Sequence, residues 1–111
     1  MPKPLTLYDN WERALRPFAP LVPDGPAGLY TCGPTVYDPA HIGNFRTYVW
    51  EDLLRRTLRH LGLRVTQVMN ITDIEDKIIQ KSMTTGVPVN DVTAPFIAAF
   101  FEDLDRLNIE R

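Results

Sequence analysis

The pattern that most constrains this chain lies between Leu29 and Met69. A short β-prone run is followed by a long helical stripe and a second β-prone run. Leu29-Tyr30-Thr31-Cys32 is apolar and β-prone, with Gly28 before it and Gly33-Pro34 after it, which predicts a strand over 29–36. Trp50, Leu53, Leu54, Leu58 and Leu61 recur at helical offsets, which predicts a helix over 44–61 with a single apolar stripe. Gly62 suits the left-handed residue that closes such a helix. Val65 and Val68 belong to a second strand over 64–69. A crossover of about five turns is long enough to join parallel strands, so the expected unit is a right-handed βαβ and the expected class is α/β with a short parallel sheet.

The flanking segments differ. Pro2, Pro4, Pro17, Pro20, Pro23 and Pro26 crowd residues 1–27. Each removes a backbone donor and fixes φ, which predicts an irregular lead-in over 1–27 ahead of a domain over 28–111. Within it, Leu5-Thr6-Leu7-Tyr8 is the one candidate edge strand, and Asp24-Gly25 is a turn signal. After the second strand, Thr72 and Glu75 have capping-box spacing, predicting a helix over 73–85 ended by Gly86 and Pro88. Phe96, Phe100, Leu104 and Leu107 give a last helix over 94–107 its apolar face, with Pro95 in its first turn.

Composition removes several function classes. The chain has 111 residues, enough for one small domain. Its longest apolar run, near Ile97–Phe101, is far short of a membrane span. Met1-Pro2-Lys3-Pro4 leads into no apolar signal region. The single cysteine cannot form an internal disulfide, which points to a reducing cytoplasm. A net charge of −2 argues against holding nucleic acid by charge alone. The arginines from Arg46 to Arg64, interleaved with Glu51 and Asp52, read as a mixed-charge helix face.

Chemistry concentrates where strand gives way to helix. His41-Ile42-Gly43-Asn44 stands at a helix start, where unpaired N–H groups and partial positive charge attract phosphate. His41 and Asn44 can donate to phosphate oxygens, and Gly43 lets a nucleotide approach the backbone. The competing reading is an ordinary helix cap with Asn44 as the cap residue. Cys32, a single cysteine in a strand, reads on its own as a small hydrophobe. Asp73, Glu75 and Asp76 suit the first turn of a helix without an ion. His60, on a helix face, is expected at the surface.

Three blocks occur in order: Tyr30-Thr-Cys-Gly-Pro-Thr-Val-Tyr-Asp38, His41-Ile-Gly-Asn-Phe-Arg-Thr47 and Asn70-Ile-Thr-Asp-Ile-Glu-Asp-Lys-Ile-Ile79. Together they closely resemble the start of cysteinyl-tRNA synthetases, and the resemblance runs from about Leu5 to Ile109. It implies a Rossmann-like nucleotide-binding fold. It also implies ATP-dependent formation of cysteinyl-adenylate, with transfer of cysteine to tRNA(Cys). By resemblance His41, Gly43 and Asn44 bind ATP, with His41 and Asn44 catalytic. Asn44 stands where the family's signature usually carries a histidine. Gly33 and Thr72 match the pocket for substrate cysteine, and Cys32 matches a Zn2+ ligand whose co-ligands lie far downstream in the family. The family's Lys-Met-Ser-Lys-Ser loop has no counterpart; Lys81-Ser82-Met83 falls in a helix. The expectation is therefore the N-terminal portion of a catalytic domain, weak or inactive alone. The related cysteine ligase of mycothiol synthesis resembles the same blocks. A third reading is a non-catalytic module that self-associates or docks through the open sheet edge.

Overall fold

The computed structural model describes residues 3–111. In chain order it holds β1 (Thr6–Asp9), β2 (Ala14–Pro17), β3 (Ala27–Thr35), α1 (Ile42–His60), β4 (Val65–Thr72), α2 (Asp76–Thr85) and α3 (Val89–Arg106). β1 pairs with β2, and β3 with β4 in a short parallel sheet. The α/β class read from the sequence is what the chain adopts. Two compact units share these elements: one holds the chain up to Tyr30 with Leu54–Val68, the other Thr31–Leu53 with Met69–Arg111.

In the first unit, β1 and β2 form an antiparallel hairpin in register from Thr6↔Pro17 to Asp9↔Ala14. This corrects the irregular lead-in expected over 1–27. The reason is the placement of the prolines: Pro4 precedes β1, Pro17 ends β2, and no proline interrupts the residues between them. Asp9 organises the turn. Its Oδ1 accepts from the Trp11 and Glu12 amides at 2.8 and 3.2 Å, and its Oδ2 from Arg16 at 2.9 Å. The amide of Glu12, then the Arg16 side chain and the Trp11 amide, hold the Asp9 carboxyl below its ordinary value. Farther on, Asp24 takes positive φ and the Gly25 amide donates to the Val22 carbonyl, closing the turn expected there.

The C-terminal end of α1 also lies in this unit. Gly62 has φ 89°, its amide donates to Arg59 O, and the Leu63 amide reaches back to Leu58 O. That paired pattern is a Schellman cap, and it needs a residue that tolerates the left-handed region. The Ala27 amide donates to Arg64 O at 2.7 Å and fixes the start of the β3–β4 pairing.

The core of the second unit is aromatic. Phe45, Tyr48, Phe100, Leu104 and Ile109 form one buried cluster. Phe45 meets Tyr48 edge-on with ring centroids 5.5 Å apart, and Tyr48 meets Phe100 edge-on at 5.4 Å. Edge-to-face geometry sets the positive ring edge against the negative face. Asn108, at φ 55°, ends α3 with a second Schellman cap: its amide donates to Asp105 O, and the Ile109 amide to Leu104 O. The reversal seats Ile109 in the cluster. The Glu110 amide then donates to the buried Asp52 carboxylate at 3.1 Å, tying the segment after α3 to α1. No helix is long and apolar enough to cross a membrane among the described residues.

Several expected details are corrected here. Trp50 and Leu53 are exposed, so the buried face of α1 in this unit runs through Phe45, Tyr48 and Asp52 instead. Those three also have 3,4 spacing, and the rings of α3 select them. Thr72 does not cap α2. It is the last residue of β4, where its carbonyl accepts from the Val36 amide at 3.1 Å, and Glu75 caps α2 by accepting from the Lys77 amide. Strand pairing outcompetes the capping box at Thr72. Helix α3 starts at Val89 behind Pro88, which leaves Pro95 inside the helix, where it has no N–H for the Asp91 carbonyl. Leu107, expected on the apolar face, is exposed.

Candidate functional site

The site begins where β3 meets β4. A regular parallel ladder would send the Gly33 amide to the main-chain carbonyl of Asn70. The amide bonds the Asn70 side-chain oxygen Oδ1 instead, at 2.8 Å. The Asn70 carbonyl lies against the Gly33 α-carbon, so closely that a Cβ there would sit 1.9 Å from it. Only glycine fits. The next bond runs from the Val36 amide to Thr72 O, so β3 spends one more residue than β4 between the two links. The extra residue makes this a bulge, and it includes Pro34, which has no amide to offer.

Beyond β3 the chain crosses Tyr37-Asp38-Pro39-Ala40 to α1. Two lysines of α2 hold Tyr37: Lys81 Nζ donates to its carbonyl at 3.1 Å, and Lys77 Nζ lies 5.0 Å from its ring centroid. The helix then opens on a reciprocal cap. His41 Nδ1 accepts from the amides of Gly43 and Asn44 at 3.1 and 3.3 Å, while Asn44 Oδ1 accepts from the His41 amide at 3.1 Å. This is a capping box with imidazole in the place of a hydroxyl and a carboxamide in the place of a carboxylate. Gly43 makes it possible, since a Cβ there would stand 3.0 Å from the imidazole. The cap residue is His41, with Asn44 its partner in the third helical position, rather than Asn44 alone. Because Nδ1 accepts, the ring's proton sits on Nε2, which is left to donate outward.

His41 and Asn44, with Pro34, Thr35, Tyr37 and Asp38 among others, line a cavity of about 540 Å³. That is within the range of small-molecule sites. The loop after a strand's carboxyl end, running into a helix N-terminus, is where open α/β sheets place ligands. Cys32, Gly33 and Thr72 lie at the β3–β4 junction and do not line this cavity. The Cys32 thiol is exposed. No three His, Cys, Asp or Glu side chains gather to hold a metal among the described residues, so Cys32 offers one ligand and the residues present do not complete a zinc site.

Under β3 lies a polar group that the sequence did not announce. Thr31 hydrogen-bonds the Glu51 carboxylate, whose Oε2 is buried and finds no hydrogen-bond partner among the described residues. Burial raises the Glu51 carboxyl above its ordinary value, and the Thr31 bond opposes the rise. Tyr48, 3% exposed, is pushed up to about 12, first by burial and then by the charges of Glu51 and Cys32.

Residues 18–111 match the family described as tRNA synthetases class I (C) catalytic domain. This chain belongs to that family. Among curated relatives, a cysteine–tRNA ligase of Protochlamydia amoebophila is 51% identical over 107 residues, covering 96% of this chain and 22% of the relative. That of Chlamydia pneumoniae is 63% identical over 86 residues, 78% of this chain and 18% of the relative. That of Chlamydia felis is 52% identical over 105 residues, 95% and 22%. The chain thus spans about a fifth of the length of the relatives it matches. The resemblance to cysteinyl-tRNA synthetases stands. The contacts of Asn70, Tyr37, Lys77 and Lys81 shape this part of the class I domain and were not foreseen from sequence. Asn70 opens the third motif block, but only the pairing with Gly33 shows its use.

Proposed function

We propose that this chain carries part of the amino-acid-activating site of a cysteine–tRNA ligase. ATP is bound through His41, Gly43 and Asn44, and substrate cysteine beside Gly33 and Thr72. The observation that supports it most is the reciprocal His41–Asn44 cap on the wall of a ligand-sized cavity. In this reading the cysteine carboxylate attacks the α-phosphorus of ATP, a new P–O bond forms, and pyrophosphate leaves with the electrons of the broken one. The carboxylate is already ionised, so no base is needed. Charge grows on the phosphates, where His41 Nε2–H and the positive end of α1 act. His41 and Asn44 are the residues this reading makes catalytic. The cap also sets a condition. Gly43 and Asn44 amides are engaged by the His41 ring, so the phosphates meet the imidazole before they meet those amides.

Cysteine is then transferred to tRNA(Cys), in the cytoplasm. Cys32 would supply one sulfur ligand to a zinc ion, a group that binds thiolates, but no second and third ligand gather beside it among the described residues. The exposed Tyr30 and Val68 support a second, docking role for the two-stranded sheet. The decisive assay is cysteine-dependent ATP–pyrophosphate exchange by the 111-residue chain beside its His41→Ala/Asn44→Ala variant. Exchange is expected to be far below that of a full-length relative and to vanish in the variant. Measurable exchange that survives undiminished in the variant would refute the assignment.

A further inference from the structure

We propose that Asn70 is a positioning residue for the Cys32–Gly33 segment, its side-chain oxygen standing in for the ladder carbonyl that the bulge displaces. The inference rests on the reading of Gly33 and Thr72 as the cysteine pocket. Three observations converge on it. The Gly33 amide bonds Asn70 Oδ1 at 2.8 Å rather than a main-chain oxygen. The Asn70 carbonyl fills the space a Gly33 side chain would need. The Val36 amide bonds Thr72 O, so β3 spends one residue more than β4 between that link and the Gly33–Asn70 one.

The chemistry required of residue 70 is narrow. It must present an acceptor oxygen one carbon beyond Cβ, which asparagine and aspartate can do. Glutamine places that oxygen a methylene too far, and alanine has none. Without the acceptor the part-buried Gly33 amide loses its partner, and such a group seeks another by moving. Movement there shifts Cys32 on one side and the Thr72 pairing on the other. The side-chain bonds of the His41–Asn44 cap stay within their own four residues and none runs to that amide, although Pro34 beside Gly33 lines the same cavity. Asn70 is therefore expected to matter for cysteine and not for ATP, a separation that a merely structural residue would not show.

The test titrates the 111-residue chain and its Asn70→Ala and Asn70→Asp variants separately with L-cysteine and with ATP. Hydrogen exchange of the Gly33 amide is followed by NMR. Asn70→Ala is expected to speed Gly33 exchange and weaken cysteine binding about tenfold, with ATP affinity unchanged. Asn70→Asp is expected to restore slow exchange and most of the cysteine affinity. An unchanged cysteine affinity in Asn70→Ala, or an equal loss for both ligands, overturns the inference. If Asn70→Ala does not fold, Asn70→Gln takes its place, with the same result expected and the same results overturning the inference. If the parent chain binds no cysteine, the pocket assignment fails, and Gly33 exchange in the variants still decides whether Asn70 holds the segment.

Discussion

The two ends of α1 are closed by different means. At the C-terminal end, main-chain groups bond main-chain groups, and Gly62 contributes only its tolerance of positive φ. At the N-terminal end, an imidazole and a carboxamide take over, each satisfying an amide the other's residue presents. A main-chain cap has nothing to exchange with a ligand. A side-chain cap does: the groups that satisfy the helix start are also groups that can turn to a phosphate, and they stand on a cavity wall. One end of the helix is closed by main-chain bonds alone, the other by side chains that line a cavity.

The largest test of that contrast removes the side-chain cap. His41→Ala combined with Asn44→Ala is expected to lower stability by about 1–2 kcal/mol, the range for losing an N-cap. ATP affinity is expected to fall at least about tenfold. Chemical denaturation and calorimetry measure the two effects. Next comes Gly62→Ala. A Cβ meets no atom there, so the cost is the left-handed conformation alone, about 1 kcal/mol, with ATP affinity unchanged. Loss of ATP affinity in Gly62→Ala equal to that in the double variant would erase the distinction between the ends.

The smallest effect lies mid-helix, at Glu51. Its carboxyl is raised by burial, so between the ordinary carboxyl value and the raised one the folded chain binds more protons than the unfolded chain. Stability contributed there falls as pH rises through that window. Glu51→Gln is expected to flatten this slope in denaturation midpoints taken across pH, and to leave ATP affinity alone. Its neighbour Tyr48 supplies a spectroscopic check: it should ionise at about 12 in an ultraviolet titration of the folded chain.

What is legible in the sequence depends on how local the cause is. The βαβ order, the Gly62 stop and the turn at Asp24-Gly25 follow from residues acting on their own neighbourhood, and each appears in the structure. The buried face of α1 does not follow. Trp50 and Leu53 are the more obvious apolar positions, but Phe45 and Tyr48 are the ones that find rings on α3, some fifty residues away. The hairpin is obscured when prolines are counted without regard to which residues lie between them. Thr72 carries a helix-cap signal beyond a strand expected to end at 69, and only its pairing with Val36 makes it the last residue of β4 instead. At the candidate site, His41, Gly43 and Asn44 are legible as a group from their position at a helix start. Their hydrogen bonding is not, because an imidazole cap is outside the usual capping residues. Asn70 is invisible in its role, since nothing in a strand sequence says that a side chain will replace a carbonyl.

At the centre stands the claim that His41 caps α1 through Nδ1 and turns Nε2–H toward the nucleotide. Long-range nitrogen–proton NMR on the His41 ring, with and without ATP, tests it most directly. The Nε2–H tautomer is predicted at neutral pH in the free chain. Saturable ATP binding is predicted to shift Nε2 and the Gly43 and Asn44 amides together. An Nδ1–H tautomer in the free chain, or ATP-induced shifts that leave His41 and those two amides unmoved, would contradict it.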